Sequence, residues 1–398
     1  MTTMDSLEIR TPLWLRVFAW FAVVWAFVLI WWGAAVTTED VGLAVPDWPL
    51  SFGQVNPDGW WHSWALRLEH GHRYAASGLG MVVVFLFGFH WFRLDVLRGR
   101  GGKAIAELLG VLLFLALNVY GVQRLTHFLQ EQRGFEGQGL FEEAGQLVPD
   151  VTIWSVWTAV TWSVVVAWLL WSWSKRGWSR MVKLGSLALI LVVVQAELGG
   201  LRVVLISDIY AIIHGVLGQA FFCLLLLIAI LSAPSTMMLK DRALGGLRSM
   251  SSVLVGSVFI QLVFGATVRH TQRITLEATD ILTTGGSWLP DFGNTGLVMI
   301  FLHKLGALVA FSLAITLGLK ARGVAAAGSG GLGAHVSWLF GLFAGQIVLG
   351  VSVLYFHGDQ QAAFWITQLH VVNGLGILAV SGALAIRLWR AAGATASI

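Results

Sequence analysis

Ten apolar stretches, each near the length of a membrane crossing, dominate this chain. They lie near 12–36, 70–93, 104–122, 151–173, 181–203, 208–232, 247–268, 296–319, 336–356 and 362–386. A spanning helix needs about 20 predominantly apolar residues, and these runs carry few interior charges. The 104–122 run is the weakest, being short and containing Glu107. Barrel strands would be about 10 residues of alternating polarity, a pattern that is absent. Of the 398 residues, 57% are hydrophobic and 12% charged, against about a quarter charged in a soluble domain. That balance excludes an ordinary soluble enzyme and a disordered chain. The 25 basic residues are scattered rather than gathered in a stripe, which argues against a nucleic-acid partner. The single cysteine, Cys223, leaves no intramolecular disulfide and no thiolate metal site.

The first run is too long for a secretory signal, lacks a clear small-residue cleavage site and is followed by further spans. Asp5 and Glu8 before it argue against an acid-poor transit peptide. With the N-terminus in the cytoplasm and all ten runs crossing, most Lys and Arg fall inside and most acids outside, as the positive-inside rule requires. Both termini are then cytoplasmic, and the bilayer of a bacterial inner (plasma) membrane is the expected setting.

Two halves of the chain echo each other. Gly33-Ala-Ala-Val-Thr37 ends the first span as Gly265-Ala-Thr-Val-Arg269 ends the seventh. Long outer loops follow, with Pro46-Asp47-Trp48 paired to Pro290-Asp291-Phe292. The next spans open on His72-Arg73 and His303-Lys304, and Gln195-x3-Gly199 and Gln346-x3-Gly350 come later. His214 and His370 open the last span of each half. The pattern predicts an all-α polytopic membrane protein: two parallel-repeat four-helix bundles plus an inserted helical hairpin. Residues 1–99 with 179–245 form the first half, 100–178 the hairpin and 246–398 the second half. The hairpin carries an acidic outer loop with Glu131, Glu136, Glu142, Glu143 and Asp150.

His72, His214, His303 and His370 each fall shortly inside the outer end of a span that enters from outside, two per half. Ionisable groups within a membrane are rare and usually functional. Facing imidazoles in a four-helix bundle are a means of holding a haem iron by both axial positions. Without thiols, and with two ligands per half, zinc and copper fit less well. Arg73, Lys304, Arg202 and Arg269 stand at the same end, either as partners for anionic haem propionates or as interfacial cations. Glu69 lies three residues before His72, on the same helical face. It could orient the imidazole, reach a propionate through water, move protons or cap the helix. Glu197 is either a proton-path group or a partner for Arg202. No role is assigned to the remaining histidines, His70 among them.

These residues resemble the haem A synthase family of cytochrome oxidase assembly. Val45-Pro46-Asp47-Trp48-Pro49-Leu50 is similar to its first outer-loop motif, and Glu69-His70-Gly71-His72-Arg73 to its Glu-x-x-His-Arg signature. Ile213-His214-Gly215-Val216-Leu217-Gly218-Gln219 and Gln368-Leu369-His370 resemble its other ligand helices, and Gly265-Ala-Thr-Val-Arg-His270 the start of its second long loop. The likeness covers nearly all the chain except about 100–178. It implies a b-type haem cofactor on His303 and His370. It also implies a haem O substrate at His72 and His214, with Glu69 and Arg73 beside it, and stepwise oxidation of a haem methyl to a formyl group. A haem O synthase or an oxidase assembly partner would stand next to such an enzyme. The chain departs from the family in lacking a first-loop cysteine pair, in its Thr37-Thr38-Glu39-Asp40 stretch, in its second outer loop and in the extra hairpin.

Two other classes fit parts of the pattern. A bis-histidine di-haem carrier of quinol electrons explains the four histidines but has no use for Glu69 and the outer-loop motif. A transporter is also built from repeats, but usually shows helices broken at the midplane; the polar residues here cluster near the outer end.

Overall fold

The computed structural model describes residues 11–97, 101–136, 149–175, 178–234, 244–271, 281–325, 331–356 and 358–395. Among them are ten helices, each long and apolar enough to cross a membrane. In chain order they are α1 (Leu13–Thr38), α2 (Trp64–Leu97), α3 (Gly101–Glu136), α4 (Pro149–Lys175), α5 (Arg180–Leu205), α6 (Asp208–Ser232), α7 (Leu244–Thr271), α8 (Thr295–Ala325), α9 (Leu332–Phe356) and α10 (Gln360–Thr395). The described residues contain two isolated β-bridges and otherwise no strand pairing. Helices prevail because hydrocarbon offers no hydrogen bonds, so each span must satisfy its own backbone.

The weakest of the expected runs is one of the longest helices. α3 continues to Glu136, well past the apolar stretch that ends near 122. A helix once nucleated propagates cheaply, so polar residues beyond the hydrocarbon extend it. Glu142 and Glu143 of the expected acidic loop lie outside the described residues.

The chain divides into two compact units whose boundaries fall inside α1 and α6: 35–221, and 1–34 with 222–398. In the 35–221 unit the α3–α4 hairpin packs with α2 and α5. Asn118 of α3 donates to the Thr158 carbonyl (3.1 Å) and to Thr161 Oγ1 (2.7 Å) on α4. Trp91 of α2, Trp168 of α4 and Trp178, just before α5, form a cluster with ring centroids 5.0–5.7 Å apart. Trp91 is 1% exposed, so this cluster is core. Ser179 caps α5, its hydroxyl accepting from the Val182 N–H.

In the other unit α10 packs on α7 and α9, and α8 on α7. Arg390 donates to the Ile230 and Ala233 carbonyls at 2.7 and 2.8 Å, placing a cation at the C-terminal end of α6, where the helix dipole favours it. Trp389 Nε1 donates to Ser252 Oγ at 2.9 Å. Large apolar side chains such as Leu13, Val17, Val24 and Val28 of α1 remain exposed along one face; a bilayer solvates such a face without penalty.

Candidate functional site: two histidine pockets

Each unit places one pair of the four histidines together. In the 222–398 unit, His303 of α8 and His370 of α10 face each other with ring centroids 6.4 Å apart and planes inclined at 57°. Gln261 of α7 reaches His303 through Nε2, 3.0 Å from the ring Nδ1 and 2.6 Å from the backbone carbonyl. Gln346 of α9 reaches the His370 ring at 3.1 Å. Its Oε1 accepts from Asn373 Nδ2 at 2.7 Å, and the same amide donates to the Leu342 carbonyl at 2.7 Å. One side chain from each of the four helices therefore meets at the two imidazoles, directly or at their ends.

Glycines make room for those rings. A methyl group on Gly350 would sit 3.3 Å from His370 Cε1, and one on Gly265 would sit 3.0 Å from His303 Cε1. The 35–221 unit repeats the device: a methyl on Gly199 would sit 3.3 Å from His214 Cε1. There Gln195 Nε2 donates to the His214 carbonyl at 3.0 Å. The pocket helices α5, α7 and α9 thus each carry the spacing Gln-x3-Gly, at 195–199, 261–265 and 346–350. The corresponding position of the first span is Leu29, four before Gly33. His72 of α2 lies within electrostatic reach of His214, Arg202 and Arg73.

The first outer loop is fastened over α2. Arg73 donates to three of its carbonyls, Asp47 (2.6 Å), Leu50 (2.8 Å) and Val45 (3.1 Å), and pairs with Glu69 at 2.8 Å. Glu69 is 4% exposed. Its other oxygen accepts from the Val45 N–H at 2.8 Å. Both carboxylate oxygens therefore go to the loop and its clamp; neither bonds to His72, although the helical spacing suggested it. Arg202 lies within electrostatic reach of Glu69 and Arg73, its guanidinium against Gly42. Trp48 of the loop lies on Gly200, where an added methyl would come within 2.8 Å of the indole.

The two loops share a tight turn that the sequence pairing placed in the wrong register. Ser51 and Gln54 bridge around Phe52 and Gly53, whose φ angles are +54° and +74°. Thr284 and Ser287 bridge around Gly285 and Gly286, at +66° and +76°. Positive φ at both central residues is the primed turn that suits a hairpin. Phe52 tolerates it because Asp47 accepts from the Phe52 and Gly53 N–H groups at 2.7 and 2.8 Å. The turns align Pro57-Asp58, rather than Pro46-Asp47, with Pro290-Asp291, and both prolines are buried. In this register Lys304, which donates to the Thr283 carbonyl at 2.8 Å, matches Arg73 on Leu50. Arg269 donates to the Ala34 carbonyl.

Two sequence expectations change here. Glu197 of α5 accepts from Trp162 Nε1 of α4 at 3.1 Å; its side chain turns to the hairpin rather than to Arg202, because it lies on the far side of α5 from Gly199. His70, given no role above, bonds through Nδ1 to Ser51 Oγ at 2.7 Å. Nothing in its spacing signalled this, since the partner is a loop serine with no helical period.

Two imidazoles facing at 6.4 Å leave room for one metal atom. Metal–nitrogen bonds of about 2 Å, with roughly 1 Å from each nitrogen to its ring centre, give a separation of about 6 Å. Among the described residues no group of three or more His, Cys, Asp or Glu could hold a metal ion, so a two-imidazole site needs its remaining ligands from elsewhere. A family model described as cytochrome oxidase assembly protein matches residues 153–387, more than half of the chain. The matched stretch contains His214, His303 and His370, and begins within α4. No curated protein matches the chain.

Proposed function

The chain belongs to the haem A synthase family of cytochrome oxidase assembly proteins, and we propose that it oxidises the methyl group of haem O to a formyl group. In this reading His303 and His370 would hold the iron of a resident b-type haem. His72 and His214 receive the haem O substrate. The observation that carries the reading is the difference between two otherwise matching pockets. Glu69 stands three residues before His72, whereas Ile300 stands three before His303. Gln261 contacts His303, whereas Leu29 holds the matching place in the first span. Pockets that held the same molecule for the same purpose would have no reason to differ in this way.

The resident haem supplies one-electron chemistry when bound. The protein's own groups do the rest. Gln261 and Gln346 fix the two imidazoles at an angle and spacing suited to retention, as outer partners of a metal ligand do. In the substrate pocket Glu69 stands one helical turn before His72 on α2. Oxidation of a methyl group releases protons, and a buried carboxylate is a group that can take them. Arg202, close to His72 and Glu69, is the cation best placed for a substrate propionate. Arg73 is committed to the loop and to Glu69, which favours a holding role for it. Lys304 and Arg269 remain candidates for the cofactor's propionates. The pockets face the outer side of a bacterial inner membrane, where a haem O synthase or an oxidase assembly partner would deliver or collect haem.

The experiment is extraction of haem from membranes that express the chain and are supplied with haem O, followed by chromatography. Haem A is the expected product. Bound b-type haem with no haem A, in the presence of oxygen and haem O, would instead favour an electron carrier that leaves haem unmodified.

A further inference from the structure

We infer that His70 and Ser51 form a positioning pair that sets the reactivity of Glu69 by holding the first outer loop on α2. This inference rests on the reading of the first pocket as the substrate site.

The pair is a built contact. His70 is 3% and Ser51 1% exposed, and Nδ1 and Oγ are 2.7 Å apart. Ser51 opens the tight turn at 51–54, so the bond pins that turn to the second turn of α2. The imidazole is boxed by aromatic rings: Tyr74 with centroids 4.3 Å apart and Trp60 at 5.0 Å. Tyr74 in turn donates to the Val55 carbonyl at 2.8 Å, and Trp60 Nε1 to Asn56 Oδ1 at 3.0 Å. His70 Nε2 is buried and has no hydrogen-bond partner among the described residues. A buried imidazole with one nitrogen unsatisfied costs stability; an apolar ring would fill the same box without that cost. The second half has Phe301 at the corresponding position.

What the bond secures is the geometry around Glu69. The loop that Ser51 anchors supplies the Val45 N–H to one Glu69 oxygen. It also supplies the three carbonyls that hold Arg73, and Arg73 occupies the other Glu69 oxygen. Residues 45, 47 and 50 are all within six positions of Ser51. Releasing the turn therefore loosens both partners of the carboxylate at once, with no direct contact between His70 and Glu69 needed. In the second half Thr284 keeps a hydroxyl at the Ser51 position, but neither the His nor the Glu is present.

The test compares Ser51→Ala, Ser51→Thr, His70→Phe and the double variant Ser51→Ala with His70→Phe. Two measurements are made on membranes with the resident b-type spectrum intact: haem A formation at limiting and saturating haem O, and protease nicking of the first loop from the outer side. Ser51→Ala and His70→Phe should each lower turnover at saturating haem O about five- to tenfold, with half-saturation moved less than twofold, and each should raise nicking. Ser51→Thr should restore both. The double variant should be no worse than either single one, because one bond is lost in all three. Multiplying losses, or a Thr variant as poor as Ala, would overturn the pairing. If Glu69→Gln abolishes haem A while His70→Phe leaves turnover unchanged, the positioning role fails and the substrate-site reading stands. If Glu69→Gln has no effect either, it is that reading that fails; nicking of the loop then still reports whether the latch exists. Loss of the resident spectrum in both Ser51→Ala and Ser51→Thr would also overturn the inference, since it would make the site structural for the whole protein.

Discussion

His303 and His370 face each other at 6.4 Å between ring centroids, although they lie 67 positions apart on helices α8 and α10. That spacing suits a metal atom held from both sides and is too wide for a direct hydrogen bond through the ring centres. The purified protein should therefore show a low-spin b-type spectrum. His303→Ala or His370→Ala should remove most of it, with the protein still present in the membrane. Full retention of haem in the double variant would rule out this pair as the ligands.

The glycines beneath the rings test the same pocket by shape. A methyl on Gly265 would meet His303 Cε1 at 3.0 Å, a distance at which one of the two must move. Overpacking of this kind costs about 1–3 kcal/mol. Gly265→Ala should lower resident haem occupancy several-fold. Gly245→Ala, at the other end of α7 where a methyl meets nothing, should leave it unchanged. Haem content per molecule, read from the reduced spectrum, decides; equal occupancy in the two variants would mean that His303 has slack.

The ten spans were legible in the sequence because a membrane crossing leaves a long, local signal. The histidine pairs were legible for a different reason: His72, His214, His303 and His370 recur at the same place in two halves, and a repeat converts weak single residues into a pattern. The contacts of Glu69 were not legible. Its partners are the Val45 N–H and Arg73, and the first depends on how an irregular loop returns over α2. The loop register is ambiguous in the sequence because Pro-Asp occurs twice in the first loop, at 46–47 and 57–58. Only the turn geometry distinguishes them. The Gln-x3-Gly spacing of α5, α7 and α9 is visible in the sequence, but its purpose needs the neighbouring helix: the glycine seats a ring that the sequence places up to 38 residues away.

The hairpin offers a separate test. None of the pocket residues named above lies on α3 or α4, so deleting about 100–178 should leave haem bound per molecule unchanged. The deletion would, however, uncover Glu197, which is 7% exposed and bonded to Trp162 of α4. A carboxylate turned to lipid costs about 3 kcal/mol on insertion scales. The deletion alone should accumulate several-fold less protein than the deletion combined with Glu197→Leu. Equal amounts of the two, measured by immunoblot of membranes, would show that Glu197 finds another partner.

Glu69 carries the chemical prediction. Its oxygens are both engaged, one by the Val45 N–H and one by Arg73, and each of these is a donor. A glutamine in its place can accept from one of them through its carbonyl, but presents its amide N–H to the other, where two donors then face each other. Glu69→Gln therefore removes the charge and half of the clamp while keeping size. Loss of a proton-transferring group typically costs a factor of about 10²–10⁴ in rate; loss of one charge-assisted bond alone weakens the clamp by about 1.5–3 kcal/mol. Both push in the same direction, and a second variant separates them. Arg73→Lys keeps the cation on a single donor nitrogen, as Lys304 does in the second half, but gives up the fork that reaches three carbonyls and Glu69. If Glu69 serves only to hold the loop, Arg73→Lys should match Glu69→Gln in lost haem A and in loop nicking. If it also takes protons from the substrate, Glu69→Gln should lower haem A by an order of magnitude or more beyond Arg73→Lys at comparable nicking, with the resident b-type spectrum intact in both. The second outcome is the one expected, and unchanged haem A in Glu69→Gln would remove this residue from the reaction altogether.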